Sequence, residues 1–510
     1  MRVSLLPAVT ALLAAWLGGC ADEPAPAKAT LEQLMDPTTC RSCHEQTYAE
    51  WAQSMHAYAA KDPVFIAQNR KAQAETNGEL GDFCIRCHAP LATQTGMSQD
   101  GLNLDELPDA LSGVTCYVCH SVAEVSGTHN NALVLAEDGV LRGGVRRPVA
   151  NSFHDSAYSP LLDGTSPEAS ALCGACHDLV TPEAPLGHGL ELERTFAEWS
   201  ESLFAPAQAE RADSALGCSA CHMPVVERAP VAPGAPPRPR HQHLSAAVDV
   251  ALTAFPATGD PAIDEASANE RAVQELLDGT LRVDVCVQRL PGPGFAVEVT
   301  LDNVNAGHSF PSGSTHNRDL WIELIAFDAE GSVLYESGAR YGEAASDADA
   351  DLWSLKDRLL DEDGQPTHAL WRAASIERRA LPAAVTSDLT DPRFYRNHQL
   401  RRFPLAPDAA ISGEPARVTV RARLRPVPLA ALDELIAEGY LAASVKKRVP
   451  TFDLLPNRHL AADANLGQLA EVTFEWSEVA RSSGRVDAWR DATTPFVKDC
   501  LGMPSKRGPR

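Results

Sequence analysis

Five short stretches of this 510-residue chain share the spacing Cys-x-x-Cys-His. They are Cys40, Cys43 and His44; Cys84, Cys87 and His88; Cys116, Cys119 and His120; Cys173, Cys176 and His177; and Cys218, Cys221 and His222. Two thiols three positions apart, followed at once by an imidazole, form the attachment signature of c-type haem. The thiols bond covalently to the haem vinyl groups and the His supplies the proximal iron ligand. The five copies use ten of the 13 cysteines and fall within 183 residues, which leaves little room for chance. Zinc knuckles do not need a His directly after the second Cys in every copy, and a disulfide framework needs no His at all. The sequence therefore predicts five covalently bound haems c, with iron as the metal.

What fills the opposite side of each iron decides what such a chain does. A Met thioether raises the potential relative to imidazole. Met is scarce, six in all, and Met223 is tied beside a proximal His. Eleven His remain after the five proximal ones: His56, His129, His154, His188, His241, His243, His308, His316, His368, His398 and His459. This surplus predicts bis-His ligation for most haems, hence low potentials and saturated irons suited to electron transfer.

The elements that position these groups divide the chain. Residues 1–19 read as a secretory signal: Arg2, an apolar run from Leu5 to Leu17, then small residues, too short for a comfortable span. Leu17-Gly18-Gly19-Cys20 resembles a bacterial lipobox, in which Cys20 is the lipidated first residue; an ordinary cleaved signal is the competing reading. Residues 20–35 read as a flexible tether. The pentahaem region spans 36–250, mainly short helices and irregular chain, because haems rather than secondary structure fill its core. Within it Tyr48, Trp51, Ala52, Met55 and His56 are spaced as one helix face, and Thr195 to Trp199 reads as helix. The Pro-rich segment 227–240 reads as a spacer or as a strap around the last haem. Residues 251–279 form a linker and a helix from Ile263 to Asp278, with Gly279 as its stop.

From 280 to 480 the pattern alternates. Val283, Val285 and Val287, then Phe295, Val297, Val299 and Leu301, read as strands. Leu320–Phe327 and Ser332–Tyr335 flank a hairpin turn, with further strands at Arg417–Leu424 and Glu471–Trp476 and one helix at Leu429–Ala437. The expectation is an antiparallel β-sandwich of immunoglobulin-like type, followed by a tail at 481–510. Cys286 and Cys500 are left as one disulfide or two separate thiols. Asp347, Asp349 and Asp351 read as a solvated acidic loop.

Several phrases resemble bacterial multihaem cytochrome c proteins, a group that includes tetrahaem cytochromes accepting electrons from hydroxylamine oxidoreductase. These are Trp51-Ala-Gln-Ser54-Met-His56-Ala, Gly113-Val-Thr-Cys116-Tyr-Val-Cys119-His120 and Leu172-Cys-Gly-Ala-Cys176-His177-Asp178. Glu198-Trp199-Ser-Glu-Ser202 and Gly307-His308-Ser-Phe310-Pro311-Ser-Gly313 fit the same pattern. The likeness covers about residues 36–335. The resemblance implies that His56, His154, His243 and His308 are distal ligands, with His241 or His316 as substitutes for the last two. His129 and His188 are loop candidates for a fifth position. If His308 ligates, the β-domain caps the haem cluster.

A formal charge of −24 argues against nucleic acid, whose phosphates call for Lys and Arg. The expected partners are redox proteins, and a membrane through the lipid anchor. The expected location is outside the cytoplasm, in the periplasm or at the cell surface on the outer membrane. No triad, phosphate loop or metalloprotease motif is present. An electron-transfer protein is the leading expectation. The alternatives are an oxidoreductase acting on a small nitrogen or sulfur compound at one five-coordinate haem, and a haem-bearing docking subunit of a larger redox complex.

Overall fold

In a computed structural model of the chain, the described residues are 28–209, 215–255, 268–289, 294–339, 349–405, 417–454, 472–476, 488–491 and 497–499. Cys20, His459 and Cys500 lie outside them, as does residue 347. No described helix is long and apolar enough to cross a membrane.

The N-terminal half is built from short helices and turns around the five motifs. After His44 the chain forms α1 (Glu45–Trp51) and then α2 (Met55–Tyr58). The expected single helix face from Tyr48 to His56 is therefore broken, and Ser54 is the reason. Its fully buried side chain accepts the N–H of Ala57 at 3.3 Å and caps α2, so the residue starts a helix instead of continuing one. Trp51 anchors the break by donating its indole N–H to the Val114 carbonyl at 2.9 Å. The 13-residue α3 (Pro63–Glu75) begins from the Asp62 cap with Pro63 in its first turn. Val64 and Ala67 of α3 join the core of the C-terminal half, while Phe65 and Ile66 pack against the second and third motifs.

The helix α4 (Thr195–Glu201) precedes the fifth motif as expected. The Pro-rich stretch closes into a hairpin, β1 (Val225–Ala229) with β2 (Arg238–His241), and its tip reaches the first motif.

The C-terminal half opens with α5 (Ala268–Leu277). Antiparallel β3 (Leu281–Arg289), β4 (Phe295–Asn303) and, later in the chain, β7 (His398–Leu405) form one sheet in the order β7-β4-β3. A second sheet contains β5 (Asp319–Phe327), β6 (Val333–Ser337), β8 (Arg417–Arg425), β9 (Val472–Trp476), β10 (Ala488–Asp491) and β11 (Val497–Asp499), in the order β6-β5-β8-β9-β10-β11. Val297, Val299, Leu301 and Phe403 of the first sheet share one buried cluster with Leu320, Ile322, Leu324, Val420 and Leu424 of the second. Alternation of side chains along each strand supplies the facing apolar sets. The same cluster takes in Val273 of α5 and Leu432 of α6 (Leu429–Ala437).

Asp349 and Asp351 are not a solvated loop. Asp349 accepts from the Gly338 N–H at 2.6 Å and Asp351 from the Tyr335 hydroxyl at 2.8 Å, so both carboxylates tie down the end of β6. The halves are joined by polar contacts as well as by α3. Arg318 pairs with Asp249 through two nitrogens at 2.5 and 2.7 Å, and the Tyr58 and Thr253 hydroxyls lie 2.7 Å apart. Lys71 of α3, with its side chain 5% exposed, meets Glu434 of α6 and Glu438 just beyond it.

Candidate functional site

Each motif forms a helical turn or lies at the edge of one, so its two thiols and its imidazole fall at i, i+3 and i+4 on one face. The His44 N–H bonds the Cys40 carbonyl at 2.8 Å, and the His177 N–H bonds that of Cys173 at 3.0 Å. The local fold thus delivers three ligating groups to one side. Room for packing around these turns depends on two glycines. A Cβ at Gly113, where φ is +80°, would stand 2.7 Å from the His56 carbonyl, which accepts the Val114 N–H at 2.9 Å. A Cβ at Gly174, inside the fourth motif, would fall 2.3 Å from the Phe196 ring.

Carbonyls from distant segments orient the proximal rings. Nδ1 of His44 lies 2.7 Å from the Val231 carbonyl, that of His88 3.1 Å from Ala59, that of His120 2.6 Å from Arg142 and that of His222 2.7 Å from Ala246. With the Nδ1 proton donated to a carbonyl, the Nε2 lone pair is left to face a metal. Burial lowers the pKa of His88, His120, His177 and His222, keeping these imidazoles neutral.

Four of the proximal His face a second His. Ring centroids are 6.5 Å apart for His44 and His154, 6.2 Å for His177 and His56, 6.4 Å for His120 and His243, and 6.3 Å for His222 and His308. Two imidazoles on opposite faces of one metal, each bonded at about 2.0–2.1 Å, place their ring centres roughly 6–6.5 Å apart. The spacing fits. The second set is oriented like the first: Nδ1 of His154, His243 and His308 lies 3.1, 3.0 and 2.8 Å from the carbonyls of Asp155, His241 and Ser309. Burial pushes His56 and His243 down to about 4 and also lowers His308.

His88 has a different neighbour. The Phe65 ring stacks on it at 3.7 Å and 5°, and among the described residues no His ring faces it. The loop candidates do not come near. His129 is exposed beside Thr128, and His188 meets Glu362 at 3.3 Å. His241 holds the Met223 carbonyl at 2.6 Å, and His316 is buried beside His368 and Arg318. Phe65 carried no sequence signal of its own, because α3 has no clear apolar face; the Asp62-Pro63 pair that starts the helix was the available cue.

Glu50 is a further residue that sequence reading passed over. Its carboxylate takes both terminal nitrogens of Arg240 at 2.6 Å and the His243 N–H at 3.0 Å. Burial would raise this carboxyl, but Arg240 and the His243 N–H outweigh it and hold it below the ordinary carboxylate range.

The motifs lie against one another. The Cys40 side chain lies beside that of Cys116, Cys87 beside Cys176, and Cys173 beside Cys218. No disulfide joins the ten motif cysteines, and among the described residues no group of three or more His, Cys, Asp or Glu is placed to hold a bare metal ion. The donor set fits haem c: two thiols and one imidazole on a face, with a second imidazole one iron-width away in four cases.

Comparison with known proteins agrees with this donor set. The family described as "Cytochrome c554 and c-prime" matches residues 39–121, the span of the first three motifs. No curated protein sequence matches the chain. The fold is similar to that of a penta-heme cytochrome c552 from Thermochromatium tepidum, with 18% identity and a TM-score of 0.53, covering 83% of this chain and 98% of that one. Five Cys-x-x-Cys-His turns, a family match across three of them and a fold shared with a penta-heme cytochrome make this chain similar to the multihaem c-type cytochromes.

Proposed function

We propose that this chain carries electrons through five covalently bound haems c, one on each motif. His154, His56, His243 and His308 are the second axial ligands opposite His44, His177, His120 and His222. The observation that supports this most directly is the set of four facing imidazole pairs at 6.2–6.5 Å. Bound haem supplies a one-electron ferric/ferrous couple. The chain's own residues do the rest. Backbone carbonyls hold the ring tautomers, and paired imidazoles fill the coordination positions that a substrate would need. The close approach of cysteines in motifs 1 and 3, 2 and 4, and 4 and 5 supports attachment sites that lie near one another.

In this reading the protein is exported and anchored through Cys20 to the outer membrane, facing the periplasm or the cell surface. It exchanges electrons with other redox proteins. The two C-terminal sheets are read as an immunoglobulin-like sandwich, supported by antiparallel pairing and one shared core. Intact mass tests the foundation: five added haems support the proposal, and fewer contradict it.

A second reading is favoured at one place. Among the described residues no His ring faces His88, which suits a five-coordinate iron able to bind a small nitrogen or sulfur compound; Phe65, stacked on the imidazole itself, packs on the same side as His88. Carbon monoxide tests this reading. One molecule bound per chain supports it, and no binding by the reduced protein refutes it.

A further inference from the structure

Helix α4 is bonded through its first turn to residues beside His177 and to the loop that carries His308. At its start, Asp178, the residue after His177, accepts the N–H groups of Phe196 and Ala197 at 3.0 and 3.5 Å. The His177 carbonyl takes the Phe196 N–H as well, at 3.4 Å. The Phe196 ring occupies the space left open at Gly174 in the same motif. The first turn is thereby fixed to the fourth motif.

One turn on, Glu198 reaches across to the loop that carries His308. Its Oε2 accepts the Ser309 N–H at 3.1 Å and the Ser312 hydroxyl at 3.0 Å. Thr195 adds two contacts to the same loop: its Oγ1 accepts the Gly313 N–H at 3.0 Å and lies 2.8 Å from the Ser312 hydroxyl. The Ser309 unit is the link that matters. Its N–H is held by Glu198, and its carbonyl lies 2.8 Å from Nδ1 of His308. The orientation of the imidazole thus depends on a carbonyl whose own residue is held by a carboxylate from another element.

We propose that Glu198 is a positioning residue for His308. Through Ser309 it sets the ring at the distance and tautomer needed opposite His222, and α4 ties that setting to the motif that holds His177. The proposal rests on His308 being an axial ligand. A carboxylate accepting from a backbone N–H and a hydroxyl is a strong acceptor, and one lost charge-assisted bond changes an on/off equilibrium by roughly 10- to 100-fold. Without Glu198, His308 should leave the iron in a measurable share of molecules.

The experiment uses the full-length holoprotein, with low-temperature EPR of the oxidised form and carbon monoxide difference spectra of the reduced form. His308→Ala is the reference and should convert one haem from low to high spin. If it does not, the ligand reading fails before Glu198 is tested. With that reference in hand, Glu198→Ala should give the same high-spin signal and carbon monoxide band at part of the amplitude. Glu198→Gln keeps an acceptor oxygen and should restore the low-spin spectrum. Glu201→Ala, on the same helix but exposed and paired with Arg396 at 3.3 Å, should leave it unchanged. A wild-type spectrum for Glu198→Ala overturns the proposal, because a purely structural role would lower thermal stability without moving the spin state. Should Glu198→Ala yield no folded protein, Ser312→Ala decides: a smaller high-spin signal supports the proposal and a wild-type spectrum overturns it.

Discussion

Arg240→Ala is the substitution whose cost the structure defines best. The Arg240 side chain is 5% exposed and that of Glu50 14%, and the pair is held by two bonds of 2.6 Å. Truncating the arginine leaves a carboxylate out of water with the His243 N–H as its remaining bond at this site. Breaking a buried pair from one side costs about 3–5 kcal/mol, roughly a hundredfold to several thousandfold in the unfolding equilibrium. An exposed pair would give about 0.2–1 kcal/mol. Guanidinium unfolding, followed by far-UV circular dichroism and by the haem absorption band, measures the difference. Because Glu50 also holds the backbone of His243, a high-spin signal from the haem opposite His120 should accompany the loss of stability. The double variant Glu50→Leu, Arg240→Met removes both charges and should recover most of the stability, since apolar residues of similar volume often replace a buried pair at little cost. A loss below about 1 kcal/mol in the single variant would refute the reasoning. So would a double variant as unstable as the single one.

Three further outcomes follow from other parts of the fold. His56→Ala should turn one haem high-spin in EPR, whereas His129→Ala, at an exposed loop, should leave the spectrum as it is. Gly174→Ala drives a methyl to 2.3 Å from the Phe196 ring and should cost about 1–3 kcal/mol by overpacking, with Phe196→Leu in the same chain relieving part of it; equal unfolding midpoints would count against the contact. Burial pushes Asp62 up to about 6, above its unfolded value near ~3.9, so the native state holds the extra proton. Its contribution to stability is complete below that unfolded value and is lost as pH rises through about 6. Asp62→Asn keeps a capping side chain for α3 and should therefore gain on wild type between pH ~4 and ~7; parallel stability curves would contradict this.

The motifs were legible because their chemistry is local. Two thiols and an imidazole on one helical turn need no tertiary information, and nor did the strands around Val283, Leu320 and Arg417 or the helix at Leu429–Ala437, each of which declares its period. What faces each iron is not local. His154 reaches His44 across 110 positions and His308 reaches His222 across 86, distances over which spacing alone says nothing. Resemblance suggested the candidates, and their placement came only from the fold. The break at Ser54 was hidden because a helical period and a capping side chain compete, and the periodicity of Tyr48, Trp51 and His56 does not record which prevails. The Glu50–Arg240 pair and the Glu198 contact were hidden for another reason. In an acidic chain a single Glu carries no mark of burial, and only its partners give it a role.

Low-temperature EPR of the oxidised protein, with a carbon monoxide titration of the reduced form, tests the central claim most directly. Four facing His pairs, and a His88 that no His ring faces among the described residues, predict four low-spin haems and one high-spin haem, with one carbon monoxide bound per chain. Two or more high-spin haems would contradict the account; five low-spin haems that bind no carbon monoxide would overturn the open site at His88 and leave the electron-transfer reading standing.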